Sequence, residues 1–272
     1  MKPNKIKQIW GEGKAVVNGF LSIPCAFVSE IMAEQGYDAL TIDLQHGVVD
    51  YQTSVGMLQA MRASEVTPMV RVPWLEPGII MKALDAGAYG VICPMINTAE
   101  QAAQLVSFVR YPPFGVRSFG PTRASISAGA NYGREANDNV LCFAMIETRE
   151  AMENLSEIAA TLGLDGVYIG PADLTIGLTG MRYPTGFDRE EPEMIEAIKH
   201  ILQTAHANGI KAALHCGSAS YALRAIGWGF DLVTLANDVR MLTNASGAAL
   251  KEVRSGLARA PSEQPLNSGC QY

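Results

Sequence analysis

The sequence predicts an α/β protein, a closed (β/α)8 TIM barrel, and three observations carry that reading. Short apolar, β-branched runs alternate with amphipathic helical stretches along almost the whole chain, which is the pattern of parallel strands covered by helices. The alternation repeats eight times within about 250 residues, the span typical of such a barrel. No Gly-x-Gly-x-x-Gly opens a helix after a strand, so the open dinucleotide-binding sheet lacks its main signature.

Taken in order, residues 4–12 read as a short helix and 15–20 as the first strand. Pro24 starts a helix over about 25–35, and Gly36 stops it. The second strand leads through Ala39-Leu40-Thr41-Ile42 into Asp43, Gln45, His46 and Gly47. Such a run is how a buried strand delivers polar groups to a rim. Asp50 caps a helix through Arg62, and Pro68–Val72 is the third strand. Pro77 opens a helix to about Gly87, residues 90–96 form the fourth strand, and Thr98 caps a helix to about Arg110. After residue 139 the rhythm resumes with strands at 141–147, 166–170, 211–215 and 231–236. Helices are expected at 149–162, about 190–208, 218–228 and 238–257. One domain over 1–258 follows, with a polar, Pro-containing tail over 259–272 expected to fray.

The segment 111–139 interrupts the pattern. Pro112, Pro113, Gly115, Gly120, Pro121, Gly129 and Gly133 rule out one long element there, though short helical turns fit. Long loops in compact domains are commonly functional. With Arg117, Phe119, Arg123 and Tyr132 on it, the segment is expected to act as a lid whose Arg117 and Arg123 reach substrate.

Composition narrows the function. The net charge is −6 and there is no run of Lys or Arg, which argues against a nucleic-acid surface and for small-molecule partners. The five cysteines form no Cys-x-x-Cys pair and read as free thiols in a reducing cytoplasm. No window approaches the ~18 apolar residues of a membrane span.

In a (β/α)8 barrel the C-terminal strand ends share one rim, where active sites are built. That rim would gather Asp43 and His46, Arg71, Glu147 and Asp173. Glu147 and Asp173 are hard oxygen donors that suit Mg²⁺ or Mn²⁺, although each could instead cap the following helix. Arg71, set among apolar neighbours, is either a structural ion-pair partner or a donor that stabilises an anionic oxygen. His46 could act as general base with Asp43 fixing its tautomer, or be structural. The small turn Gly170-Pro171-Ala172 lets the N–H groups of Ala172 and Asp173 approach a carboxylate. His215 and Cys216 end the seventh strand and read as structural. No Lys stands at a strand end: Lys82, Lys199 and Lys251 fall in helices, Lys211 opens a strand at the wrong rim, and Lys2, Lys5, Lys7 and Lys14 precede the barrel. Schiff-base chemistry is thereby set aside in favour of a metal.

Six stretches in order resemble the HpcH/HpaI family of metal-dependent (class II) pyruvate aldolases. They are Thr41–Gly47, Val70–Pro73, Leu84–Val91, Tyr111–Arg117, Met145–Ala151 and Ile169–Leu174. The resemblance implies a phosphoenolpyruvate/pyruvate-type barrel and an oligomer, hexamer or trimer, with the last helix packed on a neighbouring subunit. It implies that Glu147 and Asp173 hold a divalent ion, Mg²⁺ or Mn²⁺ with Co²⁺ accommodated. Arg71 would stabilise the enolate, and the Asp43–His46 pair would serve proton transfer. Gly170, Pro171 and Ala172 would receive the pyruvate carboxylate. A 4-hydroxy-2-oxo acid would then be cleaved to pyruvate and an aldehyde. Many members carry Glu where this chain has Gln45, which can still hydrogen-bond a water in the site. Oxaloacetate or an acyl-CoA ester is the alternative substrate class, and a non-catalytic barrel is a further alternative. A CoA ester calls for a basic rim that this acidic sequence does not display.

Overall fold

The computed structural model of the protein describes residues 1–259. Eight parallel strands close into a barrel in sequence order. They are β1 (Val16–Leu21), β2 (Ala39–Asp43), β3 (Thr67–Arg71), β4 (Gly90–Cys93), β5 (Leu141–Ile146), β6 (Gly166–Ile169), β7 (Lys211–His215) and β8 (Leu232–Thr234). The fold class expected from the alternation is the one found. These strands are nearly continuous apolar runs because each is covered on both faces, by the barrel interior and by the helical ring.

The helices in chain order begin with α1 (Lys5–Gly11), α2 (Ala26–Ala33), α3 (Tyr51–Ala60), α4 (Pro77–Asp85) and α5 (Ala99–Val109). Next come α6 (Thr122–Ala128), α7 (Tyr132–Asn139), α8 (Arg149–Glu153), α9 (Leu155–Ala159) and α10 (Pro171–Thr179). The last three are α11 (Pro192–Ala207), α12 (Ala219–Trp228) and α13 (Asp238–Arg259). Their starts are written locally: the side chains of Asn4, Asp50, Glu76, Thr98, Thr148 and Ser218 each accept a first-turn N–H, which satisfies groups the helix leaves orphaned. The helix expected over 149–162 breaks at Asn154, and α10 is an added short helix after the C-terminal end of β6.

Met1–Asp238 forms one compact unit, and Val239 onward is a second, of which α13 is described. The expected tail falls, from residue 260 on, outside the described residues. Inside the barrel, Val16, Phe20, Ala39, Met69, Ile92, Leu141, Phe143, Met145, Tyr168, Ala213 and Leu232 pack into one core. Helix α1 closes its N-terminal end. Ile6 joins that core, and Trp10 meets Phe143 edge-on at 6.2 Å while donating to the Asp231 carbonyl at 2.8 Å.

The expected lid is corrected. Residues 111–139 follow a helix and precede β5, so they lie at the N-terminal end of the barrel, away from the C-terminal rim where the site was expected. Arg117 is buried, donates to Asp85 at 2.6 Å and to the Tyr132 hydroxyl at 3.0 Å, and stacks on Tyr111. Asp85 ends α4, the bottom of its helix. Arg123 donates to the carbonyl of Ala86 at the same end. Neither arginine reaches the rim of its own chain. Among the described residues no helix is long and apolar enough to cross a membrane.

Candidate active site

Parallel register sets the first half of the site. Asp43 and Arg71 are direct partners across β2 and β3, at the last position of each strand. Their side chains therefore meet in a two-pronged pair, Nε to Oδ1 at 2.8 Å and Nη2 to Oδ2 at 2.7 Å. Both are largely shielded, Asp43 at 3% and Arg71 at 12% side-chain exposure. In such surroundings a bidentate guanidinium–carboxylate pair is well defined in direction. The guanidinium also lies 4.9 Å from the Phe20 ring centre, which fixes it from the β1 side.

Asp43 is thus spent on Arg71 and on the turn that follows, whose Gln45 and His46 N–H groups donate to Oδ1 at 3.1 and 3.2 Å. Among the described residues the expected Asp43–imidazole bond is absent, because both carboxylate oxygens are already taken by the bidentate guanidinium and the turn N–H groups. His46 stands exposed at the rim on that turn. Gly47 is required there, since a Cβ would strike the Asp43 carbonyl oxygen. Gln45 Oε1 is buried without a partner among the described residues, an acceptor suited to a water or ligand.

The second half is built by β5 and β6. Ile146 and Ile169 are register partners, so Glu147 and Gly170 leave the barrel side by side. Glu147 is 2% exposed and accepts the Met95 N–H at 2.8 Å. Thr148 caps α8, so Glu147 is not the cap. Burial pushes the Glu147 carboxyl up to about 7; the Met95 hydrogen bond opposes that rise, the charge of Asp173 adds to it, and Arg71 opposes it. A Cβ on Gly170 would stand 2.5 Å from Glu147 Oε2. Only glycine leaves that oxygen in place.

Gly170 is also the N-cap of α10, Pro171 fills its first position and Asp173 lies in its first turn. The first helical hydrogen bond is Leu174 N–H to the Gly170 carbonyl, so the N–H groups of Ala172 and Asp173 keep no intrahelical acceptor. Two carboxylates with hard oxygens, one buried and held ionised only at a cost, fit a divalent cation that completes its shell with substrate and water. Among the described residues no cluster of three His, Cys, Asp or Glu competes with them as a cage.

Several neighbours escaped the sequence reading. Tyr168 donates to Thr234 at 2.8 Å and meets His215 Nδ1 at 3.0 Å, and Phe187 stacks on His215 at 4.3 Å. Phe187 belongs to the connection between α10 and α11. With the short α10 it forms the excursion from the end of β6 to the long helix α11, so it belongs to the C-terminal rim, and that topological argument would have found it. Its Asp188 accepts the Gly217 N–H at 2.6 Å, tying the loop to the end of β7.

Comparison with known proteins identifies the family. Residues 20–245 match the family described as HpcH/HpaI aldolase/citrate lyase. A hydroxypyruvate/pyruvate aldolase of Rhizorhabdus wittichii is 41% identical over 93% of this chain and 99% of its own. A 5-keto-4-deoxy-D-glucarate aldolase of Shigella dysenteriae is 30% identical over 90% of this chain and 94% of its own. The crystal structure of a family member from Burkholderia cenocepacia superposes with a TM-score of 0.84 at 31% identity, covering 92% of this chain and 99% of that one. The chain belongs to the HpcH/HpaI aldolase/citrate lyase family and is an enzyme of its aldolase kind.

Proposed function

We propose that this aldolase reversibly cleaves a 4-hydroxy-2-oxo acid into pyruvate and an aldehyde, with a divalent ion held by Glu147 and Asp173. The observation that carries the reading is that pair of carboxylates, one deeply buried, at the rim that also holds Arg71. When bound, the ion supplies Lewis acidity to the keto oxygen of the pyruvate unit. Mg²⁺ and Mn²⁺ suit the all-oxygen donors, and Co²⁺ is accommodated.

The chain's own groups do the rest. The Arg71 guanidinium, held by Asp43 and Phe20, is aimed before substrate arrives and stabilises the charge that develops on the keto oxygen. The Ala172 and Asp173 N–H groups, with Gly170 and Pro171 leaving room, receive the pyruvate carboxylate. His46, at the exposed edge, moves the proton between the substrate 4-hydroxyl and water, and Gln45 orients that water. Asp43 is a positioning residue for Arg71. The name of the Rhizorhabdus relative extends the donor to hydroxypyruvate.

Four described cysteines are free, which supports a reducing, cytoplasmic setting. On α13, Leu242, Leu250, Val253 and Leu257 are all more than half exposed along one stripe, which supports a homo-oligomer, hexamer or trimer, through this helix. The direct test of the reaction is aldol addition of pyruvate and of hydroxypyruvate to a panel of aldehydes, with Mg²⁺ or Mn²⁺ and with chelator. Chelator-sensitive 4-hydroxy-2-oxo acid products support the reading. Products that form equally in chelator would overturn its metal dependence.

A further inference from the structure

A cavity of about 600 Å³ opens at the end of the barrel opposite the candidate active site. Its walls come from the N-terminal segment, the turn between α3 and β3, the start of β3, the α4–β4 connection and α6. The volume lies within the range of small-molecule sites. Lys2, Arg62 and Arg123 line it, and none of the three has a carboxylate within ion-pair distance among the described residues. Lys5 is already matched by Asp38 at 3.6 Å, and Glu65 lines the cavity without pairing with any of these cations. In a chain of net charge −6, three unmatched cations around one hollow are not a general surface property.

The arginines are placed rather than loose. Arg123 lies across Gly87, where a Cβ would come within 2.7 Å of its Nη1, and it donates to the Ala86 carbonyl. Arg62 reaches the Ile126 carbonyl at 3.5 Å. Burial holds the Arg123 guanidinium below its ordinary value, and the charge of Arg62 lowers it further. Two like charges held toward one another in a partly desolvated hollow gain from an anion between them. Hydroxyls of Ser64, Thr67 and Ser127 border the cavity and can donate to the same anion.

We propose that this cavity is a binding site for a small organic polyanion, carrying a phosphate or several carboxylates, separate from the catalytic rim. Arg62 and Arg123 clamp its anionic oxygens, and Leu58, Met61, Val66 and Pro68 face its carbon skeleton.

The test is isothermal titration calorimetry on the Mg²⁺-loaded protein with glucose 6-phosphate, tricarballylate, inorganic phosphate and glucose, at constant ionic strength. At least one of the two organic polyanions binds saturably, and which one does so separates phosphate from carboxylate recognition. Inorganic phosphate binds more weakly, and glucose does not bind. Arg62→Gln, a change to an exposed side chain that does not threaten folding, weakens binding by about tenfold or more, and Arg62→Gln with Arg123→Gln removes it. Arg134→Gln, on the exposed face of α7, and Asp173→Asn, at the other rim, leave it unchanged. Absence of saturable binding at millimolar concentrations overturns the proposal. So does unaltered binding in Arg62→Gln, or loss of binding in Asp173→Asn.

Discussion

Glu147 and Gly170 show how closely the site depends on single atoms. Gly170 has ordinary backbone angles, φ −95° and ψ 90°, so its role is space for the Glu147 carboxylate and not conformational freedom. Gly170→Ala is therefore expected to leave the barrel folded and to weaken Mn²⁺ binding by about 10- to 100-fold, read by calorimetry. Unchanged affinity would remove Glu147 from the metal site. The same carboxyl links metal binding to pH. Its native value, about 7, lies above that of an unfolded chain, so the folded metal-free protein holds the proton more tightly. Its contribution to stability is therefore greatest below about pH 4.5 and falls as pH rises toward 7. Metal must displace that proton, so Mn²⁺ affinity is expected to rise by about tenfold per pH unit up to about 7 and then level off. A flat profile between pH 5.5 and 7 would place the ion elsewhere.

At the scale of elements, the two long connections are informative because the sequence makes them look alike. Residues 111–139 and 180–191 are both rich in Gly and Pro and both carry arginine and aromatic side chains. Topology separates them: residues 111–139 lead into a strand, β5, and lie under the barrel, whereas 180–191, after β6 and the short α10, lead into the long helix α11 and lie over the site. Arg117→Met is expected to cost roughly 2 kcal/mol in urea denaturation, through the loss of its pair with Asp85. The variant should keep KM for pyruvate within about twofold of the wild type. A large rise in KM with unchanged stability would restore the lid. Most of the rest was legible. Apolar runs and cap residues marked the strands and helix starts, and strand-end polar residues marked Asp43, Arg71 and Glu147. Periodicity does not encode which partner a strand-end side chain takes. That choice depends on register, which joins Asp43 to Arg71 and not to the His46 imidazole. Nor could it reveal Phe20 and Tyr168, aromatic strand residues that meet Arg71 and His215 only through barrel closure, or Phe187, which reaches His215 from the α10–α11 connection.

At the scale of the whole molecule, a closed barrel keeps its two ends distinct, with the candidate active site above and the cationic cavity below. The exposed stripe of α13 extends the account beyond one chain. Light scattering is expected to show an oligomer for the wild type and smaller species for Val253→Glu, which puts a charge on that stripe. A monomeric wild type would contradict the assigned role of α13. The central claim is that Arg71 and the Glu147–Asp173 pair together stabilise a carbanion equivalent of pyruvate. Exchange of the pyruvate methyl protons for deuterium, followed by proton NMR, reads that step without any aldehyde. The account predicts exchange that needs Mg²⁺ or Mn²⁺, stops with chelator, and falls by about 100-fold or more in Arg71→Ala and in Glu147→Gln. Folded, metal-loaded wild-type protein that exchanges no faster than buffer would contradict it.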